Sequence, residues 1–234
     1  MGAIFRRELG SFFTSSIAYV FLGVFYLMSG WFCYSATFAN GTTDTKNYFS
    51  MLFLVIVILV PILTMKTFSE EKRTKSEQGL LTAPVSLTSI VLGKYFAVFV
   101  MYILGVSIVL VHSFVLSLFG SVDWAIVLSN YVALLLVGAA CISIGMLISA
   151  LTENQMVAAV GGIVALLFVY LMDAIAMYID IDWVSNILLK FSFYNKYSEF
   201  TVGIFNFSSV LFYISAAVIF NFLTVRIFEK RRWS

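Results

Sequence analysis

Residues Trp124 to Leu151 read WAIVLSNYVALLLVGAACISIGMLISAL, a stretch of 28 residues without Asp, Glu, Lys or Arg. A helix needs about 20 consecutive, largely apolar residues to cross the hydrocarbon core of a bilayer. Because lipid offers no partners for backbone polar groups, such a run has to satisfy them internally, as a helix does. The stretch therefore predicts a membrane-spanning helix, and it decides the fold class.

The composition of the rest of the chain agrees with this reading. Of its 234 residues, 62% are hydrophobic and 11% are charged, whereas soluble domains average about 45–50% apolar and about 25% charged residues. A water-soluble fold could not cover so apolar a sequence with polar surface. We interpret residues 1–234 as a single membrane domain, because no room remains for a separate soluble one.

Five further apolar runs are long enough to span a bilayer, which gives an all-α membrane protein with six transmembrane helices. Pro61, within the second run, is expected to kink it. The predicted spans are Ile17–Phe38, Phe49–Phe68, Ile90–Phe119, Trp124–Leu151, Met156–Tyr178 and Ser209–Phe228.

The distribution of Lys and Arg predicts the orientation of these spans. With the N-terminus in the cytoplasm, eleven Lys and Arg residues lie inside and only Lys46, Lys190 and Lys196 lie outside. Cytoplasmic loops carry such an excess of basic residues. The pattern predicts that both termini and the loop 69–88 are cytoplasmic, and that the segment 179–208 is on the outer side.

Two segments outside the spans have amphipathic patterns. In residues 1–16, Arg6, Arg7 and Glu8 lie off an apolar helical face, which is typical of an interfacial helix along the inner leaflet; a disordered, positively charged cap is the alternative. Residues 179–208 are too amphipathic to cross the membrane and too apolar for a free loop. They predict an outer re-entrant helical hairpin, with aromatic residues at the interface.

Small residues recur at four-residue spacing in two of the spans. This spacing allows helix backbones to approach closely in lipid, so it predicts helix packing and indicates nothing about chemistry. The residues concerned are Cys141, Gly145 and Ser149 in the fourth span and Ala158 and Gly162 in the fifth.

The chain shows no enzyme motif. Glu70 and Glu71, with Arg73 and Lys75, are similar to part of an intramembrane protease motif, but such a site needs more than the single His112. We find no metal-ligand spacing, nucleophile motif or phosphate-binding glycine loop. We therefore predict no catalytic residue, no metal and no enzymatic activity.

An ion-coupled transporter would carry ionisable groups within the membrane. His112 and Asp173 are the candidates. A neutral histidine hydrogen-bonded between helices, and a carboxylate that reaches the outer interface or a neighbour, are the alternatives. Neither residue has an obvious partner in the sequence, so this class is less well supported.

The polar loop between the second and third spans has features of a docking element. Residues Glu70–Leu81 are predicted to form a helix with Ser69 as the N-cap and Gly79 at its end. Its charges have both signs, whereas a loop that only anchored the chain would need Lys and Arg alone. A solvated loop without a partner is the alternative.

The sequence that follows, GLLTAPVSLTSIVLGKYFA, resembles the first cytoplasmic loop of ABC-2-type transporter permeases. The resemblance lies in a Glu, a Gly, a Leu pair, a T-x-P-V-S segment and a V-L-G-K segment. The matching residues are Glu77, Gly79, Leu80, Leu81, Thr82, Pro84, Val85, Ser86, Val91, Leu92, Gly93 and Lys94. The C-terminal part, KFSFYNKYSEFTVGIFN through EKRRW, is similar to the subgroup of gliding-motility and nitrous-oxide-reductase-maturation permeases.

This resemblance implies an export permease that works with a dimer of separate ABC ATPase subunits, which would bind ATP and Mg, so that no cofactor is expected in this chain. It implies a cytoplasmic coupling helix that contacts the ATPase through Glu70, Glu71, Arg73, Glu77, Gly79, Leu80 and Leu81. It also implies a second permease copy or a sister permease. The first and fifth spans would form the contact with it, and Ala158 and Gly162 of the fifth span would lie there.

The same resemblance places the protein in a bacterial or archaeal cytoplasmic (inner) membrane. The lining of the path between two such permeases would be largely apolar, which favours a lipid-like, peptide or drug substrate. Mechanotransmission to an extracytoplasmic accessory protein is the alternative function. The lipid bilayer is the expected environment, and no nucleic acid is expected as a partner.

Overall fold

The computed structural model describes residues 1–76, 78–79, 85–179 and 181–233, without the side chains of Asp182 and Trp233. It is 85% helical, with no strand among those residues. Six segments in the described part of the chain are long and apolar enough to cross a membrane. The all-α fold and the number of spans are thus confirmed.

The helices include the six spans and several shorter elements at both ends of the bundle. In chain order they are α1 (Gly2–Thr14), α2 (Ser16–Ala36), a 3₁₀ turn (Phe38–Asn40), α3 (Lys46–Thr64), α4 (Lys66–Arg73), α5 (Leu87–Val106), α6 (Ile108–Ser117), α7 (Trp124–Leu151), α8 (Gln155–Met177), α9 (Asp182–Phe191), α10 (Phe193–Thr201) and α11 (Phe207–Trp233).

Helices α3 and α7 form the centre of the bundle. Helix α3 packs between α2 and α8 and also contacts α7, while α7 contacts α5, α10 and α11. Both central helices are apolar on all sides, as expected for buried helices. Helices α2, α8 and α11 instead keep a broad exposed apolar face, for example at Leu27, Val164 and Val218.

The starts of three long helices are fixed by side chains that accept hydrogen bonds from the first turn. Asp123 Oδ1 accepts from the backbone N–H of Ala125 at 2.9 Å. Asn154 Oδ1 accepts from Met156 N at 2.9 Å, and Ser86 Oγ accepts from Ser89 N at 3.3 Å. These polar residues set where α7, α8 and α5 begin.

The second and third spans differ in detail from their predicted bounds. The second is α3, which is followed after Met65 by the short helix α4. Ser69 is therefore not an N-cap, because α4 begins at Lys66 and the Ser69 hydroxyl donates to the Met65 carbonyl within the helix. The third span is interrupted at Ser107, whose Oγ donates to Ile103 O at 2.7 Å.

The segment after α8 contains two short helices, α9 and α10, joined at Ser192. Ser185 Oγ on α9 donates to Ala176 O at 3.1 Å. Tyr197 on α10 is fully buried, and its hydroxyl donates to Phe49 O at 2.9 Å. Both helices are thus held to the spans, while the depth of this hairpin in the lipid stays a prediction.

Helix α1 is docked on the protein rather than on lipid alone. Ile4, Phe5 and Leu9 pack against the core, and Phe12 is buried, whereas Phe13 remains 47% exposed. The apolar face that the sequence assigned to the inner leaflet is thus largely covered by the chain itself. Arg6 lies on the exposed side of the helix.

One end of the bundle gathers α1, α4, the start of α5 and the end of α11, and we call it the basic end. Lys72 of α4 pairs with Glu153, just after α7, at 3.2 Å. Phe68 of α4 packs on Phe228 of α11 with ring centroids 4.8 Å apart. The end of α7 therefore lies beneath α4, and α11 lies beside it.

Candidate functional site

A polar cleft of about 720 Å³ opens at the basic end between α1 and α4, and we call it the α1–α4 cleft. Its walls include Ser11 and Thr14 of α1 and Lys66, Glu70 and Thr74 on the other side. Ser11, Thr14 and Thr74 are exposed. The cleft offers hydroxyls and charges of both signs to a partner at the bundle end.

Four charged side chains at the floor of this cleft form the ion cluster, which consists of Arg7, Glu8, Glu71 and Lys94. Lys94 Nζ lies 2.8 Å from Glu71 Oε1 and 3.1 Å from Glu8 Oε2. Arg7 Nη2 lies 2.7 Å from Glu8 Oε1 and 3.2 Å from Glu71 Oε1. Two cations and two carboxylates thus bridge one another, and they join α1, α4 and α5.

The burial of the ion cluster is graded from Lys94 outward. The Lys94 side chain is 1% exposed, the Glu8 and Glu71 side chains are 14% and 17% exposed, and Arg7 reaches the surface. The hydrogen bond to Glu8 raises the pKa of the Arg7 guanidinium, so Arg7 stays charged. Loss of one member would leave a buried charge without compensation, which is strongly destabilising.

Gly93 provides the room that α1 needs beside Lys94. A Cβ atom at Gly93 would lie 3.1 Å from Cγ2 of Ile4, which is closer than ordinary van der Waals contact. Adjacent residues of α5 therefore hold α1 in two ways, Gly93 by close approach and Lys94 by its pairing with Glu8. Both belong to the V-L-G-K segment of the family resemblance.

Ser149 of α7 binds the junction between α3 and α4. Its hydroxyl donates to Met65 O at 2.9 Å and accepts from the backbone N–H groups of Phe68 at 3.1 Å and Ser69 at 3.2 Å. Ser149 is fully buried. One side chain thus bonds two backbone N–H groups of α4 and the carbonyl of Met65 just before it, which ties that helix to the central span α7.

Two glycines leave room for the end of α3, just before this junction, to pack closely against α7 and α8. A Cβ atom at Gly145 would lie 2.3 Å from Thr64 Oγ1, and one at Gly162 would lie 2.8 Å from Pro61 Cβ. Ala158 and Cys141 are also buried inside the chain. The small residues of α7 and α8 therefore let both helices approach α3.

This placement changes the interpretation of the fifth span. Gly162 and Ala158 face the chain's own interior, so their spacing gives no reason to expect them at a contact between two permeases. The face of α8 that is free within this chain lies on other residues. It includes Val160, Val164 and Phe168, which are 56%, 61% and 56% exposed.

The residues predicted to contact the ATPase fall into three groups. Glu71 points into the ion cluster, whereas the Glu70 side chain is 41% exposed and lies 3.8 Å from Lys66 Nζ. Arg73 and Gly79 are exposed. Glu77, Leu80 and Leu81 lie outside the described residues.

The two polar residues predicted within the spans have different surroundings. Tyr48 Oη and His112 Nδ1 share a hydrogen bond of 2.8 Å, which links α3 and α6. Asp173 Oδ1 is buried and has no hydrogen-bond partner among the described residues. The histidine is thus bonded between helices, the arrangement that the sequence left open as an alternative.

Lys94 is the functional residue whose role the sequence did not predict, since it was named there only as part of the V-L-G-K segment of the family resemblance. The signal was a lysine inside an otherwise apolar run, Ile90 to Phe119. Buried lysines are rare unless they are paired. No group of three or more metal-ligating side chains occurs in the part of the chain that the structure describes.

The sequence model of the ABC-2 family transporter proteins matches residues 27–233, which is most of the chain. A search of curated proteins found no match.

Proposed function

Because the chain belongs to the ABC-2 family of transporter proteins, which are membrane subunits that work with a separate ABC ATPase, we propose that the α1–α4 cleft receives an element of that ATPase. The ion cluster beneath the cleft then passes the movement of the ATPase into the spans. The orientation deduced from the Lys and Arg distribution supports this, because it puts the basic end in the cytoplasm.

The ion cluster is the observation that carries the proposal. It joins the first helix of the chain, the helix after the second span and the start of the third span through charged contacts of 2.7 to 3.2 Å. Such a unit moves as one body, since separating its members would expose unpaired buried charges. A push on α4 therefore also displaces α1 and α5.

A second connection carries the same movement into the centre of the bundle. Ser149 holds three backbone groups at the start of α4, and α7 in turn packs on α3 and α11. ATP-driven closure of the ATPase dimer would thus act on α5 and α7 together. This rearrangement opens the path between two permeases toward the outer side.

The exported substrate is proposed to be lipid-like, a peptide or a drug, because the spans offer few charged groups.

The pair of permeases is proposed to meet through α2 and α8, whose exposed apolar faces flank α3. The membrane is proposed to be the cytoplasmic membrane of a bacterium or archaeon, with both termini inside. ATP and Mg would be bound by the ATPase.

Mechanotransmission is the second candidate function, and one observation favours it. Helix α9 exposes Trp183, Ile187 and Phe191, at 69%, 46% and 61%, at the end opposite the basic end. Such a patch suits an extracytoplasmic accessory protein. Under this function the movement of α4 would be delivered to that protein, and no solute would cross.

The docking proposal is tested by filling the cleft. Ser11→Trp places a large side chain on an exposed wall residue and should abolish co-purification of the ATPase subunit. Gly10→Trp is the matched control, because Gly10 is exposed, adjacent and not part of the cleft wall. Equal recovery of the ATPase with both variants would show that the cleft is not its docking site.

A further inference from the structure

An apolar groove of about 550 Å³ runs along the outside of the bundle between α5 and α11, and we call it the α5–α11 groove. Leu92 and Phe96 form part of one wall, and Val218 and Phe222 form part of the other. Arg226 and Glu229 stand at the end nearest the basic end, with Arg226 Nη1 2.5 Å from Glu229 Oε2. The groove is thus apolar along its length and carries an ion pair at its mouth.

The length of the groove matches one leaflet of a bilayer. Its lining on α11 extends from Ile214 to Glu229, which is about 22 Å at 1.5 Å per residue. Half of a bilayer, including its headgroup region, measures about 20–22 Å. The mouth therefore lies at headgroup depth when the far end reaches the bilayer centre.

The charged mouth offers groups of both signs. The Arg226 guanidinium folds back over the Phe222 ring, 4.8 Å from its centroid, so it lies about one turn deeper than its own Cα. Arg226 offers N–H donors to an anion, while the Glu229 carboxylate offers acceptors to N–H groups. The mouth thus complements a headgroup that carries both a phosphate and an ammonium.

We propose that the α5–α11 groove binds one phospholipid with a phosphoethanolamine headgroup from the leaflet at the basic end. One acyl chain lies along the apolar walls, and the phosphate accepts hydrogen bonds from Arg226. The ammonium donates to Glu229. A choline headgroup fits less well, because its trimethylated ammonium has no N–H to donate.

The proposal is tested by native mass spectrometry of the protein released from nanodiscs that contain equal amounts of phosphatidylethanolamine, phosphatidylglycerol and phosphatidylcholine. The wild-type chain should retain one phosphatidylethanolamine, about tenfold more often than phosphatidylcholine, which corresponds to one hydrogen bond. Glu229→Leu should reduce this preference, whereas Arg226→Gln should reduce the retention of all three phospholipids.

A groove-filling pair of variants completes the test. Val218→Trp places its side chain in the groove and should abolish retention, whereas Ile219→Trp, at an exposed neighbour outside the groove lining, should retain lipid like the wild type. Retention unchanged in Val218→Trp would overturn the proposal. So would equal retention of all three lipids, retention of none, or a second protein chain lost only in Val218→Trp.

Discussion

Lys94 is the side chain on which the packing of the basic end most depends. It is almost fully buried between Glu8 and Glu71, so its removal would leave two carboxylates in the ion cluster with only the positive charge of Arg7 between them. Lysine suits this position because its ammonium has three donors and can serve both carboxylates at once. Its neighbour Phe68 adds a ring 5.4 Å from Nζ.

We expect Lys94→Met to lower the free energy of unfolding by about 3 kcal/mol, because breaking a buried ion pair leaves its partners without compensation. The measurement is denaturant unfolding of the purified protein in mild detergent. Lys72→Met is the control, since the Lys72 pair with Glu153 is more exposed and should change stability by about 0.5 kcal/mol.

A second control examines the ion cluster itself. Adding Glu71→Gln to Lys94→Met removes the one negative charge that Arg7 does not balance, so the double variant should recover part of the lost stability. Effects that simply add would show that Lys94 and Glu71 do not interact. Equal losses for Lys94→Met and Lys72→Met would contradict the buried character of the cluster.

The short helix α4 depends on α7 more than on its own eight residues, because a helix of this length is marginal in isolation. Ser149 supplies hydrogen bonds to the start of α4, and Lys72 pairs with Glu153 at the other end. Helix α4 is therefore fixed to the end of α7, and we expect the two helices to move together.

We expect Ser149→Ala to retain ATPase docking but to reduce transport-coupled ATP hydrolysis severalfold, because three backbone groups at the α3–α4 junction lose their shared partner. Ser143→Ala is the matched control. Ser143 is buried on the same helix, but its hydroxyl bonds only to Ala140 O within α7, at 2.7 Å. Co-purification and ATP hydrolysis in proteoliposomes measure the two properties separately.

Similar losses in Ser149→Ala and Ser143→Ala would mean that any buried hydroxyl of α7 has this effect, and the special role of the α3–α4 junction would be refuted. Loss of docking in Ser149→Ala alone would place the ATPase contact at that junction instead of in the cleft.

The sequence predicted α7 well, since its apolar run lies between Asp123, which caps the helix, and the polar residues after Leu151. It did not predict the partners of Lys94, because Glu8 and Glu71 are distant in sequence and pairing between helices leaves no periodic pattern. Likewise the spacing of Ala158 and Gly162 predicted close packing but could not say that Pro61 of the same chain was the neighbour.

Across the whole bundle, the buried centre lies at α3 and α7, and the broad apolar faces of α2 and α8 lie on either side of α3. Lipid can cover such faces, but so can another permease. We expect the pair of permeases to meet at these faces, with Val164 of α8, which is 61% exposed, near the contact.

A photoreactive phenylalanine analogue at Val164 should therefore crosslink to a second permease chain in native membranes. The same analogue at Ile219, which is 54% exposed on α11, should not. Electrophoresis followed by mass spectrometry of the adduct identifies the partner as an identical chain or a sister permease. Crosslinking at Ile219 and not at Val164 would move the contact to α11.

The ion cluster also has a consequence for how the chain is made. Its members are Arg7, Glu8, Glu71 and Lys94, so the last of them is added to the chain before any residue of α7. In the orientation that we propose, Lys94 is at first an unpaired cation that would help to keep its end of α5 in the cytoplasm during insertion. Once α5 is in the membrane, the same charge is neutralised by Glu8 and Glu71. We expect the first half of the protein to close on itself at this step, as a co-translational intermediate that waits for α7.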